Sequence, residues 1–186
     1  MTPTVLWVVG EPGAGKTTLV SRLIDNKRTL HPKPKWTIGP RTAAVGHYTG
    51  GKFDGADTVP YNGVEQALVF WRECLQDRSL TIFDGDRFSN AGVVDWFRDL
   101  KKEPTLLRCI HFVIPPEEGL RRRQQRGTTQ NPVWVKGRIT KAARFAATAF
   151  THDVLELDAR EPPSSLLARA KDFLQIDWEL LEEDPD

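Results

Sequence analysis

The sequence predicts an α/β fold, a three-layer sandwich with helices on both faces of a five-stranded parallel sheet, and three observations carry that reading. Short apolar runs alternate with segments of helical periodicity along the whole chain, the pattern of a parallel sheet whose crossovers are helices. The 186 residues correspond to a single domain, 1–186, long enough to bury about 70% of the unfolded surface without staples. The first apolar run, Val5-Leu6-Trp7-Val8-Val9, ends in a glycine-rich turn that opens directly into a helical pattern.

Taken in order, the strands are expected at 5–9, 43–47, 80–83, 106–114 and 154–157. Helices are expected at 15–26, 63–76, 90–101, 117–126, 135–150 and 164–174. Asn62, Ser89 and the step Pro163-Ser164-Ser165 stand where helices should start, ahead of apolar-periodic residues. Residues 28–40, with three prolines, and 127–132 lack periodicity and read as loops.

The net charge of +1 hides an uneven distribution. Residues 105–150 carry nine lysines and arginines against two acids, a net +7, whereas residues 153–186 sum to −8. The acidic end, about 177–186, reads as a solvated tail. Cys74 and Cys109 lie far apart without metal-ligand spacing, which argues against zinc or a disulfide-linked partner and for a reducing, cytoplasmic setting. No basic leader precedes the first strand and no apolar run approaches ~18 residues, so neither secretion nor a membrane partner is expected.

The strand-to-helix turn, Gly10-Glu11-Pro12-Gly13-Ala14-Gly15-Lys16-Thr17, satisfies G-x-x-x-x-G-K-[ST] at every position. Wrapping a polyphosphate requires backbone N–H groups turned inward, here from Gly10 through Thr18, and glycines permit that approach. Lys16 then reaches the β- and γ-phosphates, the Thr17 hydroxyl sits on Mg²⁺, and the helix directs its positive end at the anion. A nucleoside triphosphate with Mg²⁺ is therefore the expected cofactor. A guanine-reading N-K-x-D is missing, since Asn26-Lys27 continues into Arg28-Thr29, and the length is that of a small kinase.

The run Leu80 to Phe83 leads into Asp84, Asp86 and Arg87. Ligands of open parallel sheets lie beyond the carboxyl ends of the strands, which places these residues beside the phosphate loop. Asp84 is the expected Mg²⁺ ligand; Asp86 divides between magnesium, substrate contact and a turn, and is the next candidate for the catalytic base after Asp54 and Asp57; Arg87 is a candidate for a substrate phosphate. In the glycine-rich segment 46–57, Tyr48 and Phe53 offer faces for a planar ring, and Asp54 or Asp57 could accept the proton of an attacking hydroxyl. A transferring phosphoryl group also needs cations closing over it. Arg121 to Arg126, the loop after it and the run Lys136-Gly137-Arg138 have the layout of an arginine-rich lid over about 118–145, with Arg122 and Arg126 sharing a helix face.

Together these features resemble the nucleoside-monophosphate-kinase-like group of P-loop kinases over nearly the whole chain. Asp86-Arg87-Phe88 resembles the Asp-Arg-aromatic step of thymidylate kinases, and Arg121 to Arg126 the arginine-rich lid of the group. The segment 47–61 and the run Trp134 to Lys141 are similar to small bacteriophage kinases, some of which phosphorylate 5-hydroxymethyluracil already in DNA. The resemblance implies ATP as the donor, Asp54 or Asp57 as the base, and hydroxymethylated DNA as the acceptor. It further implies Tyr48, Phe53 or Trp134 stacking on a flipped base, Lys136 and Arg138 among the residues gripping phosphates, and the host cytoplasm as location. A kinase for a free nucleotide, nucleoside or other small metabolite is the alternative, and a nucleotide-dependent switch a third.

Overall fold

The computed structural model describes residues 2–51, 54–100, 105–128, 130–150 and 152–178. Its strands are β1 (Thr4–Gly10), β2 (Thr29–Pro32), β3 (Lys35–Ile38), β4 (Thr42–Val45), β5 (Leu80–Asp84), β6 (Leu106–Val113) and β7 (Val154–Asp158). Among the described residues these seven form one sheet in the order β2-β3-β4-β5-β1-β6-β7. The five from β4 to β7 run parallel and are the five expected from the sequence. The first two extend the sheet as an antiparallel hairpin, so the expected loop at 28–40 is corrected to two strands. Pro32 ends the edge strand, where its missing N–H deprives no partner, and Trp36 of β3 is fully buried.

The helices are α1 (Lys16–Leu23), α2 (Val64–Phe70), α3 (Ala91–Asp99), α4 (Pro116–Gln125), α5 (Pro132–Ala149) and α6 (Pro163–Leu174). After α2 the chain continues as a π-helical turn, Trp71–Leu75. Asn90 rather than Ser89 caps α3, its side chain accepting from the Val93 N–H. Asn62 lies inside a 3-10 turn, Tyr61–Gly63, and does not cap α2. Helix α5 starts three residues earlier than expected, with Pro132 in its first turn and Asn131 accepting from the Val133 N–H.

Alternation along β1 sends Val5, Trp7 and Val9 to one face of the sheet and Leu6 and Val8 to the other, which fixes two apolar layers. Trp7, with no exposed surface, stacks on Phe83 with ring centroids 5.6 Å apart and donates its indole N–H to the Phe88 carbonyl at 3.1 Å. That bond anchors the turn after β5, and so the carboxylates on it, to the central strand. Ala142, Phe145, Ala146 and Ala149 of α5 join the same layer, so the far end of the expected lid, about 118–145, is core. Cys109 is buried in β6, its thiol pushed up to about 12 by desolvation, and both cysteines are unbridged. No helix among the described residues is long and apolar enough to cross a membrane.

Candidate active site at the phosphate loop

The turn between β1 and α1 is built as its motif requires. Gly13 and Gly15 have φ of 90° and 98°, which side chains rarely tolerate, and Gly15 is the cap of α1. Lys16 folds back over the loop, donating from Nζ to the Gly10 and Glu11 carbonyls at 3.0 and 2.9 Å. Burial lowers its pKa, against the raising fields of Asp84, Asp57 and Glu11, and Arg126 lowers it further. An anion arriving among those groups restores the preference for the charged form.

Thr17 and Asp84 meet at the inner end of the loop. The Thr17 hydroxyl donates to Asp84 Oδ2 at 3.2 Å, and the Ala56 N–H donates to Asp84 Oδ1 at 3.1 Å. The approach of residue 56 depends on Gly55, where a Cβ would lie 2.8 Å from Asp84 Oδ2. Asp84 is 4% exposed, and desolvation raises its pKa over the opposing Ala56 hydrogen bond and the charge of Lys16. A buried carboxylate and a hydroxyl, both hard oxygen donors next to a phosphate cradle, fit Mg²⁺, which keeps most of its shell as water and phosphate oxygen.

Two cavities flank the loop. The inner one, about 150 Å³, is lined by Gly10, Pro12, Lys16, Asp57, Tyr61, Asp86, Arg87, Gln130, Trp134, Arg138 and Lys141, among others. Asp86 pairs there with Arg138 and also with Lys141 at 2.9 Å. The Arg138 guanidinium lies 4.9 Å from the Trp134 ring centroid and the Arg87 guanidinium 4.5 Å from that of Tyr61, so two arginines are mounted on aromatic faces in one cavity. The outer one, about 490 Å³, runs past Gly13, Ala14, Gly15 and Thr18, between Arg122, Arg126 and the segment from Ala159 to Pro163.

The expected site residues separate accordingly. Lys16, Thr17, Asp57, Asp84, Asp86, Arg87, Arg126, Arg138 and Trp134 converge on the loop or its cavities. Asp54 does not: its carboxylate is taken up by Thr49 N–H and hydroxyl, both at 2.8 Å, and by the N–H groups of Gly50 at 2.6 Å and Gly51 at 3.1 Å. It shapes a turn. Tyr48 is corrected from a stacking face to a core residue, 2% exposed, its ring packed in the layer that contains Leu6 and Val8. Burial, and secondarily the neighbouring Asp84 charge, raises the pKa of its phenol well above the ordinary value. Lys136 faces a separate open groove between the start of α3 and α5. Phe53 lies outside the described residues.

Arg122 is engaged with Glu118 at 2.7 Å and the Ala159 carbonyl at 2.8 Å. The hydrogen bonds from Arg121 and Arg122 hold the Glu118 carboxyl down, to about 2. Gln130 and Lys141 fall within the expected lid, whereas Tyr61 and the segment after β7 were missed in the sequence. The last was findable, since it follows the carboxyl end of a parallel strand.

The fold and these cavities can be set beside known proteins. The solved structure of a sugar kinase from Janibacter sp. HTCC2649, unliganded, superposes with a TM-score of 0.57 at 15% identity, covering 98% of this chain and 100% of that one. A gluconokinase from Sinorhizobium meliloti 1021 gives a TM-score of 0.49 at 14% identity, covering 97% of this chain and 94% of that one. No curated protein matches the chain in sequence. The family described as P-loop nucleotide kinase 3 matches residues 1–158, which include the phosphate loop, the Asp84 strand end, α4 and α5. The chain thus belongs to the P-loop nucleotide kinase 3 family and is a phosphotransferase.

Proposed function

We propose that the chain transfers the γ-phosphoryl group of ATP, with Mg²⁺, to a hydroxyl of a small anionic metabolite held in the inner cavity. The observation that carries this reading is the convergence of Lys16, Asp57, Arg87, Arg138 and Lys141 on one cavity that opens at the phosphate loop. Its cations outnumber its carboxylates, and its size suits a compact acceptor. The shared fold of a protein described as a sugar kinase is in keeping with a hydroxylated one. The outer cavity has room for the nucleoside half of ATP.

In this reading Asp57 is the base. It lines the cavity, is exposed, and lies within electrostatic range of Lys16 and Asp84. Asp86, clasped by two cations, is a poor proton acceptor, and Asp54 is spent on its turn. Asp57 takes the hydroxyl proton as the oxygen attacks the γ-phosphorus, the bond from that phosphorus to the β,γ-bridging oxygen breaks, and ADP leaves. Lys16 and Arg126 meet the charge that spreads over the phosphoryl oxygens. Thr17 and Asp84 would hold Mg²⁺, which would supply positive charge against the β- and γ-phosphates.

Transfer to hydroxymethylated DNA is a second reading, favoured by Lys136 and Arg144, which line an open groove beside the cavity. Much of the basic segment is turned to internal use, however. Arg108 bonds the Phe173 carbonyl, Arg121 and Arg122 hold Glu118, Arg123 holds Glu11, and Arg138 and Lys141 hold Asp86. Incubation with γ-labelled ATP separates the readings. Label on hydroxylated carboxylic acids or phosphate esters supports the first, label in hydroxymethylated DNA the second, and free phosphate alone defeats both.

A further inference from the structure

We infer that Glu11 and Arg123 are positioning residues whose buried ion pair braces the phosphate loop against α4 and sets Arg126 beside Lys16. The inference rests on the reading of Arg126 as a phosphate contact.

The four arginines of α4 and its end divide into three roles. Arg121 and Arg122 lie along Glu118. Arg123 turns inward, its Nη1 donating to Glu11 Oε1 at 3.2 Å and to the Pro12 carbonyl at 3.3 Å, with the two side chains 10% and 4% exposed. Arg126, three residues on, is exposed and lines the outer cavity together with Gly13, Gly15 and Thr18 of the loop, where its charge also lowers the proton affinity of Lys16. Arg123 is therefore unsuited to touch phosphate, although it stands in the middle of the basic run.

Glu11 occupies a position the phosphate-loop motif leaves open, so the cradle does not demand an acid there. A carboxylate beside a polyphosphate repels it unless a cation neutralises it, and burial already raises the pKa of Glu11 against the opposing charge of Arg123. The helix is shaped around this pair. A Cβ at Gly119 would lie 1.8 Å from Glu11 Oε1, so α4 carries a notch for the carboxylate. Breaking one partner leaves a buried charge unpaired. The loop and the helix then lose their common register, and Arg126 loses the position at the loop from which, in the proposed function, it would meet the transferring phosphoryl group.

The test is the ratio of the Kd for MgADP to that for the magnesium complex of a non-hydrolysable ATP analogue, by calorimetry on the full chain. The variants are Glu11→Gln, Arg123→Gln, Arg126→Gln and Glu11→Gln with Arg126→Gln. Arg126→Gln is expected to lower the ratio about tenfold. Glu11→Gln and Arg123→Gln should reproduce most of that loss while MgADP still binds, and the double variant should fall no further than Arg126→Gln. General destabilisation would not move a ratio of two affinities.

If Arg123→Gln fails to fold, the near-isosteric Glu11→Gln carries the test. An unchanged ratio in Glu11→Gln, or losses that add in the double variant, overturns the inference while leaving the proposed function standing. Arg126→Gln without effect removes the phosphate contact and the inference with it. No nucleotide binding by the unmodified chain overturns the proposed function itself.

Discussion

Thr17 and Asp84, 67 residues apart in the chain, meet through a 3.2 Å hydrogen bond from hydroxyl to carboxylate at the inner end of the phosphate loop. The parallel pairing of β1 with β5 causes it, since Val8 is level with Asp84 and the carboxyl end of β5 therefore lies beside the last residues of β1, where the loop begins. Four expected outcomes follow from this arrangement and its neighbours.

Lys16→Ala should abolish phosphoryl transfer and leave the fold intact. Among the described residues the ammonium bonds two loop carbonyls, at 3.0 and 2.9 Å, so its removal exposes no apolar core. Turnover assays with a far-ultraviolet circular dichroism control check this, and normal turnover would remove the phosphate-loop role.

Asp84→Asn should raise the Tm of the nucleotide-free protein by a few degrees while eliminating Mg²⁺-dependent nucleotide binding. The sign follows from linkage. Burial raises the folded-state pKa of Asp84, so the native protein holds this proton more tightly than the unfolded chain does. The group's contribution to stability then falls as pH rises from the ordinary carboxylate range through the raised value. The stabilisation by Asn should accordingly vanish in acid and be full at neutral pH. In the unmodified protein, Mg²⁺-dependent nucleotide affinity should fall as acid protonates Asp84, beginning above the usual carboxylate range. Thermal melts and calorimetry across pH read both effects.

Asp57→Asn and Asp54→Asn should separate cleanly. The first should lower kcat by about 10² to 10⁴ with the Tm nearly unchanged, as for loss of a general base. The second should lower stability by about 1–3 kcal/mol through the turn at Thr49 to Gly51, with a smaller effect on rate. Equal effects on rate would end the assignment of Asp57.

Gly55→Ala should weaken Mg²⁺-dependent nucleotide binding by about 10- to 100-fold, the range for loss of groups that orient metal ligands. The added methyl strikes Asp84 Oδ2 at 2.8 Å at a residue whose φ is 85°, displacing the Ala56 N–H from the carboxylate. Wild-type affinity in this variant would show that the Ala56 contact is dispensable.

How much of this was legible in the residues depends on the range of the interaction. The phosphate loop was, because its geometry is local and its residue types are dictated by backbone approach to phosphate. The five parallel strands were, because each is a short apolar run. The β2–β3 hairpin was not, because the prolines at 32 and 34 hide a periodicity only four residues long in each strand. The roles of Asp54 and Asp57 could not be told apart, since which acid faces the cavity is decided by a three-residue 3-10 turn, Ala56–Thr58, and the bridge between His47 and Gly55. Nor could Arg122, Arg123 and Arg126 be distinguished: their assignments depend on Glu118, Glu11 and the loop, partners supplied by the tertiary fold.

Helix α5 has its final turns, Ala142 to Ala149, sunk into the apolar layer on β1 and β6, while Trp134 and Arg138 near its beginning wall the inner cavity. That rear wall is consequently fastened to the sheet and travels with it. Under the proposed function an acceptor therefore meets a surface of fixed shape on that side, and substitution of Trp134 should change which molecules fit more than it changes the fold.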